Sequence, residues 1–225
     1  MNKIIKHTTL LYRTFMFFIL STVSAAHASN GIDKSWQFKV YLDGDEIGFH
    51  NFSIVHNDEQ HEAISHEIYS KAQFDVKFLF INAYSYRHDN IERWSGRCLN
   101  SIDAVTDDNG ELYKISGEVI DDTFVINTAE QNNEYSPCIR SFAYWDKDFL
   151  NETNLLNSQT GEMIEVSSEF IGNDTIRHMG EEINARHYRL RGEKLQIDLW
   201  YSYDDHWLAL ESLTESGRVV RYEVP

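Results

Sequence analysis

From Phe78 to Trp94 the chain reads FLFINAYSYRHDNIERW. As extended backbone this stretch alternates with period two, placing Phe78, Phe80, Asn82, Tyr84, Tyr86, His88, Asn90, Glu92 and Trp94 on one face. Leu79, Ile81, Ala83, Ser85, Arg87, Asp89, Ile91 and Arg93 fall on the other. At about 3.3 Å per residue it would run about 55 Å, too long to lie flat in a compact domain of this size. It must curl or carry a bulge, and Asp89-Asn90, tolerant of turn geometry, is the expected break. A strand of this length that curls wraps a half-barrel around an interior. The aromatic row with one imidazole and one carboxylate suits either a pocket wall or an ordinary β core with a polar end.

The rest of the chain repeats the pattern in shorter pieces, alternating segments separated by turn residues. Strands are expected over 36–42, 47–55, 63–69, 74–94, 99–106, 112–119 and 123–128, and again over 163–171, 175–179, 185–191, 195–203, 207–213 and 218–224. Asp43-Gly44 and Asp107-Asp108-Asn109-Gly110 are hairpin turns by composition. Residues 129–140 read as a loop. Tyr144 to Leu150 is the one helical segment after the N-terminus, short and polar enough for a surface turn or lid carrying Trp145. The fold class is therefore all-β: a single strongly curved antiparallel sheet or half-barrel of ten or more strands, with one short helix or lid.

The N-terminus reads as a cleavable export signal. Lys3, Lys6 and Arg13 precede an apolar run over 15–23, and Ala26-His27-Ala28 gives the small-x-small cleavage pattern. The apolar run is too short for a membrane-spanning helix, which needs about 20 residues. Residues 1–28 are thus the expected signal peptide and 29–225 one β domain, placed in the periplasm. Cleavage removes three basic residues and no acidic ones, leaving 17 Lys and Arg against 36 Asp and Glu, a net charge of −19. Such a charge argues against nucleic-acid binding, which needs a basic surface, and against docking on anionic headgroups. The two cysteines, Cys98 and Cys138, are expected to pair in an oxidising compartment.

Specific chemistry is sparse. His88 and Glu92 share a face but stand about 13 Å apart along a strand, too far for a local acid–base pair. His50, His56, His61 and His66 flank one hairpin, with Asp58 and Glu59 in its turn. The spacing puts His61 and His66 on opposite faces, so no metal site is assigned. No nucleophile elbow, zinc-protease, phosphate-loop or dinucleotide motif stands in the right context, and no cofactor is implied. The acidic turns lack the spaced ligand ladder of a calcium loop. Tyr and Trp, abundant here, favour sites with one apolar and one wet side, such as a pocket rim.

Several phrases in order carry a resemblance: YLDGDEIGFH (41–50), DVKFLFINAYSYRHDNIERW (75–94), TDDNG (106–110), LLNSQTGE (155–162), ARHYRL (185–190) and LWYSYDDHWLALES (199–212). Across the whole mature chain the sequence resembles an uncharacterised family of exported bacterial proteins, a domain of unknown function. More distantly, its closing hairpin resembles periplasmic proteins with a lipoprotein-carrier-like fold. That resemblance implies a curved antiparallel sheet around an apolar cavity and no catalytic residues. The Cys98–Cys138 pair is not part of the pattern, and Trp145-Asp146-Lys147 stands where a Trp-Asn-Pro turn is expected.

The resulting expectation is a periplasmic binding or carrier module for an apolar or amphipathic ligand such as a lipid. Tyr84, Tyr86 and Trp94 would line the wall, His88 and Glu92 would orient a polar head, and Trp145 would sit on a lid. Leu199 and Tyr201 would supply the opposite wall. The alternatives are an enzyme using His88 and Glu92 with a partner from another strand, and a structural or assembly protein with an envelope partner.

Overall fold

A computed structural model describes residues 32–56, 64–78 and 81–225. The expected signal peptide lies outside them, as do His61, Asp58 and Glu59. The described residues form fifteen strands: β1 (Lys34–Leu42), β2 (Asp45–His56), β3 (His66–Phe78), β4 (Ile81–Ser95), β5 (Cys98–Asp108), β6 (Glu111–Ile120), β7 (Thr123–Asn127), β8 (Asn132–Tyr135), β9 (Asn154–Leu156), β10 (Met163–Glu165), β11 (Ser167–His178), β12 (Glu181–Gly192), β13 (Leu195–Tyr201), β14 (Trp207–Leu213) and β15 (Val219–Glu223). Thirteen make one antiparallel sheet in the order β11-β12-β13-β14-β15-β1-β2-β3-β4-β5-β6-β7-β8, while β9 and β10 pair separately. The sheet is strongly curved and not closed into a barrel. The fold class is the one the alternation predicts.

Sequence neighbours pair through hairpins, and the one long-range join within the large sheet is β1 against β15, with Lys39 opposite Glu223. The tight turns carry two residues at positive φ: Asp43-Gly44, Asn109-Gly110, Asp121-Asp122 and Met179-Gly180. That backbone matches the twist of the flanking strands. The paired aspartates in turns thus serve local geometry.

The opening stretch is not one strand. β3 continues to Phe78, the chain reverses, and β4 starts at Ile81, setting Phe74 opposite Tyr86 and Val76 opposite Tyr84. Apolar alternation runs through the reversal with no Gly or Pro to mark it, so periodicity alone joins the two strands. Nor is there a break at Asp89-Asn90, where pairing to both neighbours is continuous. One-residue shifts fall instead at Ala83 of β4 and Asn100 of β5. A third, at Ile47 of β2, is followed by Gly48 at φ +152°, where a Cβ would stand 1.9 Å from the Gln73 carbonyl oxygen. Only glycine fits there.

Residues 136–166, between edge strands β8 and β11, cross the concave face. Their Ala143, Phe149, Leu150, Leu155 and Leu156 join one core cluster with Phe38, Phe52, Ile68, Ile102 and Phe124 from one part of the sheet and Leu190, Leu199 and Trp207 from the other. Each such side chain contributes about 1.5–3 kcal/mol over the exposed state. The expected helical lid over 144–150 is a 3-10 turn, Lys147–Asn151, whose start is capped by Asp146 accepting from the Asp148 N–H. It is no surface element: Phe149 is fully buried. A curled sheet without a second layer has its concave face uncovered, and this segment covers it.

A Cys98–Cys138 disulfide joins the first residue of β5 to the start of the crossing segment, and the adjacent Leu99 N–H donates to the Ile139 carbonyl at 3.0 Å. The bridge closes a loop of 40 positions, for which chain entropy predicts about 4 kcal/mol of stabilisation. Urea unfolding of the Cys98→Ser, Cys138→Ser double variant should show a loss of that order. An unchanged midpoint would show that the bridge constrains nothing.

Candidate functional site

β4 sorts its side chains by parity. Outward, Arg87 pairs with Asp75, Asp89 with Lys71 and Arg93 with Glu67. Inward, Tyr86, His88, Asn90, Glu92 and Trp94 face the crossing segment. Between this row, His50 of β2, Tyr222 of β15, and Tyr144, Trp145 and Gln159 of the crossing segment lies a cavity of about 210 Å³.

Glu92, 4% exposed, is held by three donors. Asn90 Nδ2 donates to Oε1, while Trp94 Nε1 and Ser141 Oγ donate to Oε2, each at 3.0 Å. Burial pushes its carboxyl up from the ordinary range and the three hydrogen bonds oppose that. Because Ser141 belongs to the crossing segment, the carboxylate also ties that segment to β4. Trp94 is fully buried, stacked on His66 at 6.1 Å and edge-on to Trp145 at 5.3 Å. Arg140 lies 5.7 Å over the Trp94 ring and pairs with Asp146.

The imidazoles are neutral fixtures. His88 Nδ1 hydrogen-bonds Thr106 Oγ1 at 2.8 Å, and burial pulls its pKa down to about 4. His50 bonds Ser70 Oγ through Nε2 at 2.7 Å and Tyr222 Oη through Nδ1 at 3.2 Å. Desolvation, with a smaller contribution from His88, holds it well below its usual value. Burial likewise raises the Tyr86, Tyr144 and Tyr222 phenols. Tyr86 Oη donates to Gln159 Oε1 at 3.3 Å, and Gln159 Nε2 donates to Asp108 at 3.3 Å, bridging the mouth. The LLNSQTGE phrase makes this possible: Asn157 Oδ1 accepts from the Gln159 N–H and the Asn157 carbonyl from the Gly161 N–H, closing a tight loop that presents Gln159.

Of the residues singled out from sequence, Tyr86, His88, Glu92 and Trp145 meet at this chamber. Tyr84 lies outside its lining, its phenol raised by burial and by a bond to Asp108. Trp94 is packed behind it. Leu199 and Tyr201 do not form its opposite wall, being fully buried, with Tyr201 Oη donating to the Tyr144 carbonyl at 2.8 Å. The crossing segment stands where those two were expected. Sequence reasoning missed His50, Asn90, Tyr144, Gln159 and Tyr222 as one group; only parity on β2 and β4 and the LLNSQTGE phrase hinted at them. Among the described residues neither His88 nor Glu92 hydrogen-bonds another titratable group: His88 bonds Thr106, and Glu92 bonds Asn90, Trp94 and Ser141.

A curled, unclosed antiparallel sheet plugged by its own chain, with a polar chamber at the plug, defines the architectural class. The chain belongs to a family described as a domain of unknown function, DUF6134, whose model matches residues 38–224. Among solved structures it is similar to a beta-barrel-like protein of domain of unknown function DUF1849 from Brucella abortus. The TM-score is 0.59 at 7% identity, over 85% of this chain and 94% of that one, a likeness of fold alone. No curated protein matches the chain.

His88 gives the chamber a pH signature. Its folded pKa, about 4, is depressed from 6.5, so the native state resists a proton that the unfolded chain accepts. Its contribution is intact above pH 6.5 and is lost as pH falls toward 4. Between pH 7 and pH 4 the wild type should lose roughly 3 kcal/mol more stability than His88→Gln, by urea unfolding. Parallel pH curves would contradict the burial of a neutral imidazole.

Proposed function

We propose that this chain is a binding module of an exported compartment that takes an amphipathic small molecule, seating its polar end in the chamber. One observation carries the reading. The chamber adjoins a larger hollow of about 880 Å³, and the two share Phe142, Asn157 and Leu195. The larger hollow adds Met163, Ile164 and Val166 to that apolar wall, with Arg191, Glu193 and Lys194 among its other residues. A polar recess beside a longer, partly apolar trough matches a ligand with a polar end and an apolar body. The crossing segment occupies the interior that a wholly internal acyl chain would need, so the apolar body lies in the outer trough.

The leader-like N-terminus and the disulfide support the compartment. Hydrogen-bonding groups held in place by their partners, Tyr86 on Gln159 and His88 on Thr106, support a positioning role for the chamber.

Native mass spectrometry of protein purified from a bacterial periplasm tests this. The expected result is a co-purified small molecule at one per chain, lost in Tyr86→Ala while that variant stays folded. A bound molecule retained by Tyr86→Ala, or no bound molecule and no uptake from an envelope lipid extract, would overturn it.

A further inference from the structure

The chamber carries a charge sign that the reading above leaves open. Among the described residues its lining holds no Lys or Arg and one carboxylate, Glu92. That group receives a strict N–H donor on each oxygen, from Asn90 and from Trp94. These donors, with Ser141 Oγ on the same carboxylate, favour the charged form against the desolvation that raises its pKa, and a cation in the chamber would favour it further. Arg140 is spent on Trp94 and Asp146 and does not line the chamber.

Two further features point the same way. With Nδ2 committed to Glu92, the Asn90 side chain turns its Oδ1 away as an acceptor, and that atom is buried with no hydrogen-bond partner. Asn90 itself is 6% exposed and lines the chamber. A buried acceptor without a donor costs free energy unless something supplies the donor. The remaining walls are aromatic, with Phe52, Tyr86, Tyr144, Trp145 and Tyr222 around the recess. Aromatic faces attract cations through the ring quadrupole, most strongly where water is excluded. Both imidazoles, His50 and His88, are held neutral by burial and add no opposing charge.

We infer that the chamber selects a cationic end, an ammonium or alkylammonium group caged by these rings, compensated by Glu92 and hydrogen-bonded to Asn90 where it bears an N–H. This deepens the proposed binding function and rests on it. The surrounding surface favours the same ligands, since formal net charge is −16 for the chain and attracts cations to its neighbourhood.

The test compares decyltrimethylammonium, decyl sulfate and decyl glucoside, each below its micelle-forming concentration and in 0.15 M salt. Binding to the whole folded protein is followed by tryptophan fluorescence and calorimetry. The expected result is one ammonium probe per chain, bound at least tenfold more tightly than either of the others. In Glu92→Gln, with near-ultraviolet dichroism showing the fold retained, the preference should shrink to within about threefold. If that variant does not fold, the same comparison is made with Tyr86→Leu, where loss of the ammonium preference places it in the chamber and its persistence assigns it to the acidic surface.

Equal binding of all three probes, or tighter binding of the sulfate or glucoside, would overturn the charge assignment and leave the binding function standing. Tenfold ammonium preference that persists in folded Glu92→Gln would assign it to the acidic surface and overturn the chamber as its source. Binding of none of the three would remove both readings.

Discussion

A single curved sheet that does not close has a concave face with no second layer to cover it, and everything else in this protein follows from how that face is covered. The chain uses its own residues 136–166, threaded between the two sheet edges, as the missing layer. Their apolar side chains merge with inward residues from both parts of the sheet into one core. The segment is fixed at its start by the Cys98–Cys138 bridge and further along by Ser141 on the buried Glu92 carboxylate. Where its polar and aromatic residues meet the inner face of β4, the packing is incomplete and a small chamber remains.

The chamber is therefore a by-product of covering a sheet with a loop, and its chemistry follows from burial. Imidazoles that would titrate in water are kept neutral, phenols are kept protonated, and one carboxylate is held by neutral donors. A fixed, largely buried arrangement of this kind is suited to holding a group in one orientation. One hydrogen bond in it joins two titratable groups, His50 Nδ1 and Tyr222 Oη.

Much of the fold was legible because strand alternation is a period-two signal and the turns announce themselves. Asp43-Gly44 and Asn109-Gly110 are read from composition and sit at the expected positive φ. The inward parity of Tyr86, His88 and Glu92 was legible for the same reason. Three things were not. The reversal after Phe78 keeps the apolar alternation going, so nothing local marks it. The curved sheet carries single-residue shifts at Ile47, Ala83, Asn100, Ile171 and Leu208, which periodicity cannot see. The burial of Phe149, Leu155 and Leu156 depends on an uncovered sheet face far away in sequence, and a short polar-flanked segment looks the same on a surface as in a core. For the site, residues on one strand were found together, while His50, Gln159 and Tyr222 join them only through strand pairing and the crossing segment.

The central claim is that residues 136–166 belong to the core. Native-state hydrogen exchange tests it most directly, through the Phe149, Leu156 and Val166 amides, which donate to the Asp146, Arg140 and Thr153 carbonyls. Those amides should exchange only with global unfolding, with the same protection and denaturant dependence as amides of β13. Exchange orders of magnitude faster, with no denaturant dependence, would show a segment that opens as a lid and contradict the account.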